Sequence, residues 1–173
     1  SVPSEFRRIS EMVFYPGPVK QELELTLTNV SHRSAQFKQL EEKLRRQLLA
    51  LSDAQRVALL HGSGTLANDV MLQQLKERVG ESKGLICVNG EFGARLVQQA
   101  RRIGLQFEVY EVRWREPFKR ECIEVFAGEA AWFAFVHGET STGMLNDLDM
   151  FVEIKERFNL LLAVDCVSSF GAV

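Results

Sequence analysis

Hydrophobic and polar residues along this chain follow two different periods. Short, nearly unbroken apolar runs of strand length are separated by longer amphipathic stretches with the three- and four-residue spacing of a helix. The apolar runs are Val57–Leu60, Gly84–Val88, Phe107–Val112, Trp132–Val136 and Leu160–Val164. The amphipathic stretches are Thr65–Val79, Phe92–Ile103, Phe118–Phe126 and Leu145–Phe158. This alternation predicts an α/β fold with a mostly parallel sheet flanked by helices.

The first part of the chain does not follow this alternation. Residues 1–34 are expected to be irregular, because Pro16 and Pro18 fix their own φ angles and restrict the residues before them. From Ser34, a residue suited to cap a helix, the pattern becomes helical. Apolar residues then recur at Phe37, Leu40, Leu44, Leu48 and Leu51. We therefore expect an N-terminal arm over residues 1–34 and a partial large domain over residues 35–173.

Composition and charge narrow the class of protein. The 173 residues are 46% hydrophobic and 25% charged, which is typical of one ordinary globular domain. The net charge of -2 argues against nucleic acid as a partner. The sequence contains no apolar run of membrane-spanning length and its first residues lack the apolar core of a signal peptide, so we expect a cytoplasmic protein without a membrane partner. The three cysteines, which fit no zinc pattern, are expected to be reduced thiols.

Candidate chemistry lies where the predicted strands end. The loop His61–Thr65 joins an apolar run to a helix, so its backbone N–H groups and the hydroxyls of Ser63 and Thr65 suit an anion such as phosphate. Two further loops, Asn89–Gly93 and His137–Gly143, follow other strands. In parallel sheets ligands bind at the carboxyl ends of the strands, where Asp165 also lies.

Each of these residues also has a structural interpretation. The glycines of the first loop can serve a tight turn alone, and Asp165 can simply cap the next segment. Phe92 can be a core aromatic. His137 and Glu139 suggest a metal pair, but the sequence supplies no third ligand nearby. No nucleophile-elbow sequence accompanies the hydroxyl residues after His137.

Taken in order, six segments resemble the class V, fold type I, pyridoxal-phosphate aminotransferases, especially the branch that contains the alanine/serine–glyoxylate and 2-aminoethylphosphonate–pyruvate enzymes. The segments span nearly the whole chain. They are Phe14–Pro18, Ser31–Ser34, Gly62–Thr65, Asn89–Gly93, His137–Gly143 and Val164–Gly171. The resemblance implies an incomplete large domain of a fold type I enzyme with pyridoxal 5'-phosphate as its cofactor.

The resemblance also implies how the cofactor is held. Ser63, Gly64 and Thr65 match the residues that bind the cofactor phosphate, at a helix N-terminus that favours negative charge. Phe92 occupies the place of the aromatic residue that stacks on the pyridine ring. Thr140 matches a hydroxyl residue near the phenolic oxygen.

Three further positions follow from the same resemblance. Asp165 matches the catalytic carboxylate that pairs with the pyridinium nitrogen and so keeps the ring an electron sink. Val167 is expected to pack on the other ring face. Gly17 lies where the N-terminal loop approaches the substrate in the family.

Part of the family pattern does not occur in this sequence. The Schiff-base lysine follows the aspartate in the family, whereas every lysine of this sequence precedes Asp165. The arginine that binds the substrate carboxylate belongs to a later domain. We therefore predict the N-terminal portion of an aminotransferase that moves an amino group from a small amino acid to a 2-oxo acid. This chain alone is expected to be inactive and to need a lysine-bearing segment, within a homo-oligomer or a hetero-oligomer.

Two other functions remain open at this point. The chain can be a non-catalytic partner module that binds pyridoxal phosphate or phosphate through the same loop. It can also be a nucleotide-binding domain, although no full dinucleotide fingerprint follows the first apolar run.

Overall fold

The structure, a computed structural model, describes residues 31–52 and 54–172. The chain divides between Gln47 and Leu48 into two compact units. In its described part, the first unit consists of a short turn and most of helix α1 (Ala35–Ser52). Ser34 Oγ accepts a hydrogen bond from the backbone N–H of Phe37 at 3.1 Å, which confirms the predicted helix cap.

The second unit is built around a four-stranded parallel sheet with the spatial order β2-β1-β3-β6. Its strands are β1 (Gly84–Val88), β2 (Phe107–Glu111), β3 (Trp132–Val136) and β6 (Leu161–Asp165). The helices that accompany it are α2 (Gly64–Val79), α3 (Glu91–Arg102), α4 (Arg120–Ala127) and α5 (Leu148–Phe158). Two short strands, β4 (Gly138–Glu139) and β5 (Met144–Leu145), form a separate antiparallel pair. The predicted α/β fold with a parallel sheet flanked by helices is confirmed.

Helices cover both faces of the sheet, so the two central strands are buried along their whole length. Side chains of β1 and β3 alternate between the faces, as the pleat requires. Ile86 and Trp132 pack with α2 and α3 on one face. Leu85 and Phe133 pack with α4 and α5 on the other face. Continuous apolar runs were therefore the correct signal for these strands.

The order of the strands creates a switch point between β1 and β3. From β1 the chain crosses through α3 to β2 on one side, and it then returns through α4 to β3 on the other side. Right-handed crossovers in opposite directions place their helices on opposite faces, which agrees with the two core clusters. In open parallel sheets, ligands bind outside the carboxyl ends of the strands at such a switch point.

The prediction of a strand at Val57–Leu60 was wrong. These residues are coil, and the sheet order β2-β1-β3-β6 includes no strand from this part of the chain. A strand requires a neighbouring backbone with which to pair. An apolar run of strand length does not by itself establish the backbone pairing of a strand.

The start of the last predicted helix was also wrong. Leu145 belongs to β5, which pairs with β4, rather than to helix α5. The helix begins three residues later because the Asp147 side chain caps it, accepting a hydrogen bond from the Met150 N–H at 2.9 Å.

The three cysteines are free thiols, as expected. Cys87 is buried in β1, whereas Cys122 and Cys166 are half-buried. None of the helices in the described ranges combines the length and the apolar character that crossing a membrane demands.

Candidate active site

The predicted phosphate loop lies at the N-terminus of α2. Ser63 occupies the N-cap position with an extended backbone, and its hydroxyl makes no capping hydrogen bond. The first N–H groups of a helix have no partner within the helix. Ser63 and Thr65, on either side of Gly64 at this helix start, are both exposed. Such an arrangement attracts an anion through both donors and dipole.

Asp165 ends strand β6 with its side chain buried, only 5% exposed. Both of its carboxylate oxygens accept hydrogen bonds. The Val167 N–H donates to Oδ1 at 2.9 Å, and Asn68 Nδ2 donates to Oδ2 at 2.6 Å. The carboxylate is therefore held in one orientation by its own turn and by helix α2.

Helix α2 brings the phosphate loop and this carboxylate to the same place. A Cβ atom added to Gly64 would lie 2.6 Å from Val167 Cγ2, so only glycine fits this approach without displacing the valine. Gly64 and Asn68 are four residues apart and share one helix face. At about 1.5 Å per residue, the loop and the aspartate contact are about 6 Å apart along the helix axis. A small aromatic phosphate is long enough to span this separation of about 6 Å.

Thr140 lies beside the turn that follows Asp165. Its Oγ1 is 2.5 Å from Ser168 Oγ, and both side chains are exposed. Thr140 thus contacts the segment that follows Asp165. We call this set of residues at α2 and after β6 the α2–β6 rim: Ser63, Gly64, Thr65, Thr140, Asp165, Val167 and Ser168.

Phe92 lies in the first turn of α3, at the switch point. Its side chain is half-buried, and the Arg95 guanidinium lies 5.1 Å from its ring centroid. Glu139 connects it to Thr140, because Glu139 Oε1 accepts a hydrogen bond from the Phe92 N–H at 3.4 Å. Gly17 lies outside the described residues.

Sequence reasoning missed the main role of Glu139. This carboxylate is fully buried, and it accepts hydrogen bonds from the Gly93 N–H at 3.0 Å and from Ser141 Oγ at 2.6 Å. A Cβ atom on Gly90 would lie 2.5 Å from the Glu139 side chain. Glu139 therefore caps α3 and ties the loop after β3 to the loop after β1.

Asn89 and Asn146 form a second buried link at the same switch point. Asn89 Nδ2 donates to Asn146 Oδ1 at 2.8 Å, and Asn146 Nδ2 donates to the Val136 carbonyl at 2.8 Å. Both side chains are almost fully buried. We call Glu139, Ser141, Asn89 and Asn146 the switch-point bridge. In the sequence the only local signal for it was Asn89, a polar residue directly after an apolar run.

Gln99 is a further residue that the sequence did not suggest. Its Nε2 donates to the Thr65 carbonyl at 2.9 Å and to Asp69 Oδ1 at 2.8 Å. Gln99 is buried in α3 and therefore anchors the start of α2, on which the phosphate loop depends.

A metal at His137 and Glu139 finds no support. Among the residues that the structure describes, no group of three or more His, Cys, Asp or Glu side chains could hold a metal ion. The oxygens of Glu139 already accept hydrogen bonds from backbone and hydroxyl donors.

Cys166 lies between Asp165 and Val167. Burial raises the pKa of its thiol, the nearby Ser169 hydroxyl lowers it, and the Asp165 charge raises it again. The net effect is a raised pKa, which favours the neutral thiol over the more reactive thiolate.

Comparison with known proteins identifies the family. The model of the aminotransferase class-V family matches residues 20–173, nearly the whole chain. The chain belongs to this family. Class-V aminotransferases depend on pyridoxal phosphate.

Named relatives agree with the family. The chain is similar to 2-aminoethylphosphonate–pyruvate transaminase of Pseudomonas entomophila, with 34% identity over 79% of this chain and 38% of the relative. Its structure is similar to alanine–glyoxylate aminotransferase of Nostoc sp. (31% identity, TM-score 0.71, 83% of this chain and 39% of the other). It is also similar to ureidoglycine–glyoxylate aminotransferase of Bacillus subtilis (27% identity, TM-score 0.73, 82% and 37%). The chain thus spans about two fifths of these class-V aminotransferases and corresponds to their N-terminal part.

The residues present fit the family's cofactor. The α2 N-terminus offers uncapped donors for a phosphate, and a side chain at Gly64 would close its approach to Val167. A buried carboxylate at the other end suits a protonated ring nitrogen.

Proposed function

We propose that this chain supplies the cofactor-binding N-terminal part of an aminotransferase that moves an amino group from a small amino acid to a 2-oxo acid. The observation that carries the proposal is the meeting of α2 with the segment after β6. Asn68 contacts Asp165, and Gly64 approaches Val167, so the exposed N-terminus of α2 and a buried carboxylate lie close together.

Each rim residue has a distinct part in this proposal. Ser63, Gly64 and Thr65 bind the phosphate of pyridoxal phosphate through N–H and hydroxyl donors. Asp165 holds a proton at the ring nitrogen, and Val167 packs on one face of the ring. When bound, the cofactor supplies an electron-withdrawing ring that stabilises negative charge on the amino acid's α-carbon.

The remaining residues complete the ring's surroundings. Phe92 packs on the opposite face, and the Thr140 hydroxyl donates to the phenolic oxygen. The family resemblance assigns Gly17 to substrate binding; this residue belongs to the arm over residues 1–34, which precedes the partial domain over residues 35–173. The lysine that binds the cofactor and the arginine that binds the substrate carboxylate come from a complementary segment.

The family resemblance also supports an assembled enzyme. We propose a homodimer or a complex with a lysine-bearing partner, because class V sites lie at subunit interfaces. Free cysteines support a reducing, cytoplasmic location. The small-amino-acid substrate is inferred from the relatives, whose names include alanine and 2-aminoethylphosphonate.

A binding titration tests the cofactor assignment. The chain is titrated with pyridoxal phosphate, and with pyridoxal and ATP as comparison ligands, while protein fluorescence is followed. We expect pyridoxal phosphate to bind at least about tenfold more tightly than pyridoxal, because the phosphate adds charge-assisted hydrogen bonds. Asp165→Asn weakens this binding, whereas the exposed Asp149→Asn in α5 does not.

Two results would contradict the proposal. One is equal binding of pyridoxal and pyridoxal phosphate, and the other is tighter binding of ATP. Addition of a lysine-bearing C-terminal segment of a relative separates the catalytic function from a non-catalytic module. Transaminase turnover that appears only after this addition supports the enzyme, and binding without turnover supports the module.

A further inference from the structure

We propose that Asn68 is a positioning residue, which orients the Asp165 carboxylate toward the ring nitrogen of bound pyridoxal phosphate. The inference rests on the proposed function and adds a residue to that site. It starts from one contact: Asn68 Nδ2 donates to Asp165 Oδ2 at 2.6 Å, across 97 residues of sequence.

The chemistry of the contact makes Asn68 suited to this role. An amide N–H donates to a carboxylate but takes no proton from it, so Asn68 can orient Asp165 without competing as a base. The second oxygen, Oδ1, already accepts from the Val167 N–H. Each oxygen retains a lone pair for a further donor, and the two fixed bonds determine where those lone pairs point.

The position of Asn68 also links the two ends of the site. Asn68 lies one helical turn after Gly64 on the same face of α2, so the helix that presents the phosphate donors also holds the carboxylate. With Asn68 replaced, Asp165 retains the Val167 bond but can rotate about its Cβ–Cγ bond. The distance and angle from carboxylate to ring nitrogen are then no longer set by the phosphate site.

The test uses a ligand pair that differs only at the ring nitrogen. The unaltered chain, Asn68→Leu and the control Gln73→Leu, which replaces an exposed amide on the same helix, are titrated with pyridoxal phosphate. The titrations are repeated with the deaza analogue, in which a carbon replaces the ring nitrogen. Urea unfolding of all three proteins measures any change in stability.

We expect Asn68→Leu to weaken pyridoxal phosphate binding about tenfold and to change binding of the deaza analogue less than about twofold. Gln73→Leu changes neither. A merely structural role of Asn68 would weaken both ligands equally, since both share the phosphate. If Asn68→Leu does not fold, Asn68→Ser, whose hydroxyl is too short to reach Oδ2, replaces it with the same expectation.

The outcomes separate this inference from the proposed function. If the unaltered chain binds pyridoxal phosphate more tightly than the deaza analogue but Asn68→Leu affects both ligands equally or neither, only the role of Asn68 is overturned. If the unaltered chain binds neither ligand, the proposed function and the role of Asn68 are both overturned.

Discussion

The switch-point bridge and the α2–β6 rim lie at the same edge of the sheet. They differ in the burial and hydrogen bonding of their polar groups. In the bridge, Glu139 and Asn146 are buried and their polar atoms have partners within the chain. On the rim, Ser63 and Thr65 are exposed, and the start of α2 has no side-chain cap. Buried polar groups that have hydrogen-bond partners stabilise the fold. Exposed donors at a helix start remain available to bind a ligand.

Asp165 belongs to neither extreme. Its side chain is nearly as buried as those of Asn89 and Asn146, but Val167, two residues later, is exposed. This position explains why a carboxylate there can be fixed by Asn68 and still meet a ligand.

The largest expected effect is the loss of the bridge carboxylate. Glu139→Ala leaves the buried Gly93 N–H, and the donors of Ser141, without their acceptor. We expect the free energy of unfolding to fall by about 3 kcal/mol or more. Urea denaturation followed by circular dichroism measures it.

The matched control for this prediction is Glu129→Ala. Glu129 is an exposed glutamate after α4, and its loss is expected to change stability by less than about 0.5 kcal/mol. Equal effects of the two variants would show that the bridge does not hold the scaffold.

A second prediction concerns Cys87, a buried thiol in strand β1, which directly precedes Asn89 of the bridge. Burial raises the pKa of Cys87 far above its ordinary value of 9.0. Above pH 9 the unfolded chain therefore loses this proton while the folded chain keeps it, so stability falls as pH rises. One such proton corresponds to about 1.4 kcal/mol per pH unit.

Cys87→Ala tests this slope. Its unfolding free energy, measured by urea denaturation from pH 8 to pH 10.5, is expected to decline less steeply than that of the unaltered chain. Cys122→Ala, at a half-buried position, is the control. Parallel slopes for Cys87→Ala and the unaltered chain would contradict the prediction.

The smallest expected effect on stability lies on the rim. Gly64→Ala places a methyl group 2.6 Å from Val167 Cγ2, but Val167 is 68% exposed and can move aside. We expect the free energy of unfolding to change by less than about 0.5 kcal/mol and pyridoxal phosphate binding to weaken about tenfold. Gly128→Ala, with open space around its Cβ, is the control for both measurements.

A large loss of stability in Gly64→Ala would contradict the contrast between the two regions, since it would mean that the rim stabilises the fold as the bridge does. A small loss of stability with undiminished binding would instead separate Gly64 from the phosphate site.

The amino-acid sequence by itself determined which residues form the two central strands. Unbroken apolar runs identified β1 and β3 because both strands are buried on two faces, and small residues before a helix identified the α2 N-terminus. These signals are local, since each depends on residues within one element. The order of the motifs also sufficed to suggest the family to which the chain belongs.

Only the tertiary structure decided which polar residues meet. Asn68 and Asp165 are 97 residues apart, and Asn89 and Asn146 are 57 residues apart, so no local pattern pairs them. The same reason accounts for the wrong strand at Val57–Leu60, where the apolar run was present but the residues form coil. Pairing across the sheet is a property of the folded chain, and a period along the sequence does not contain it.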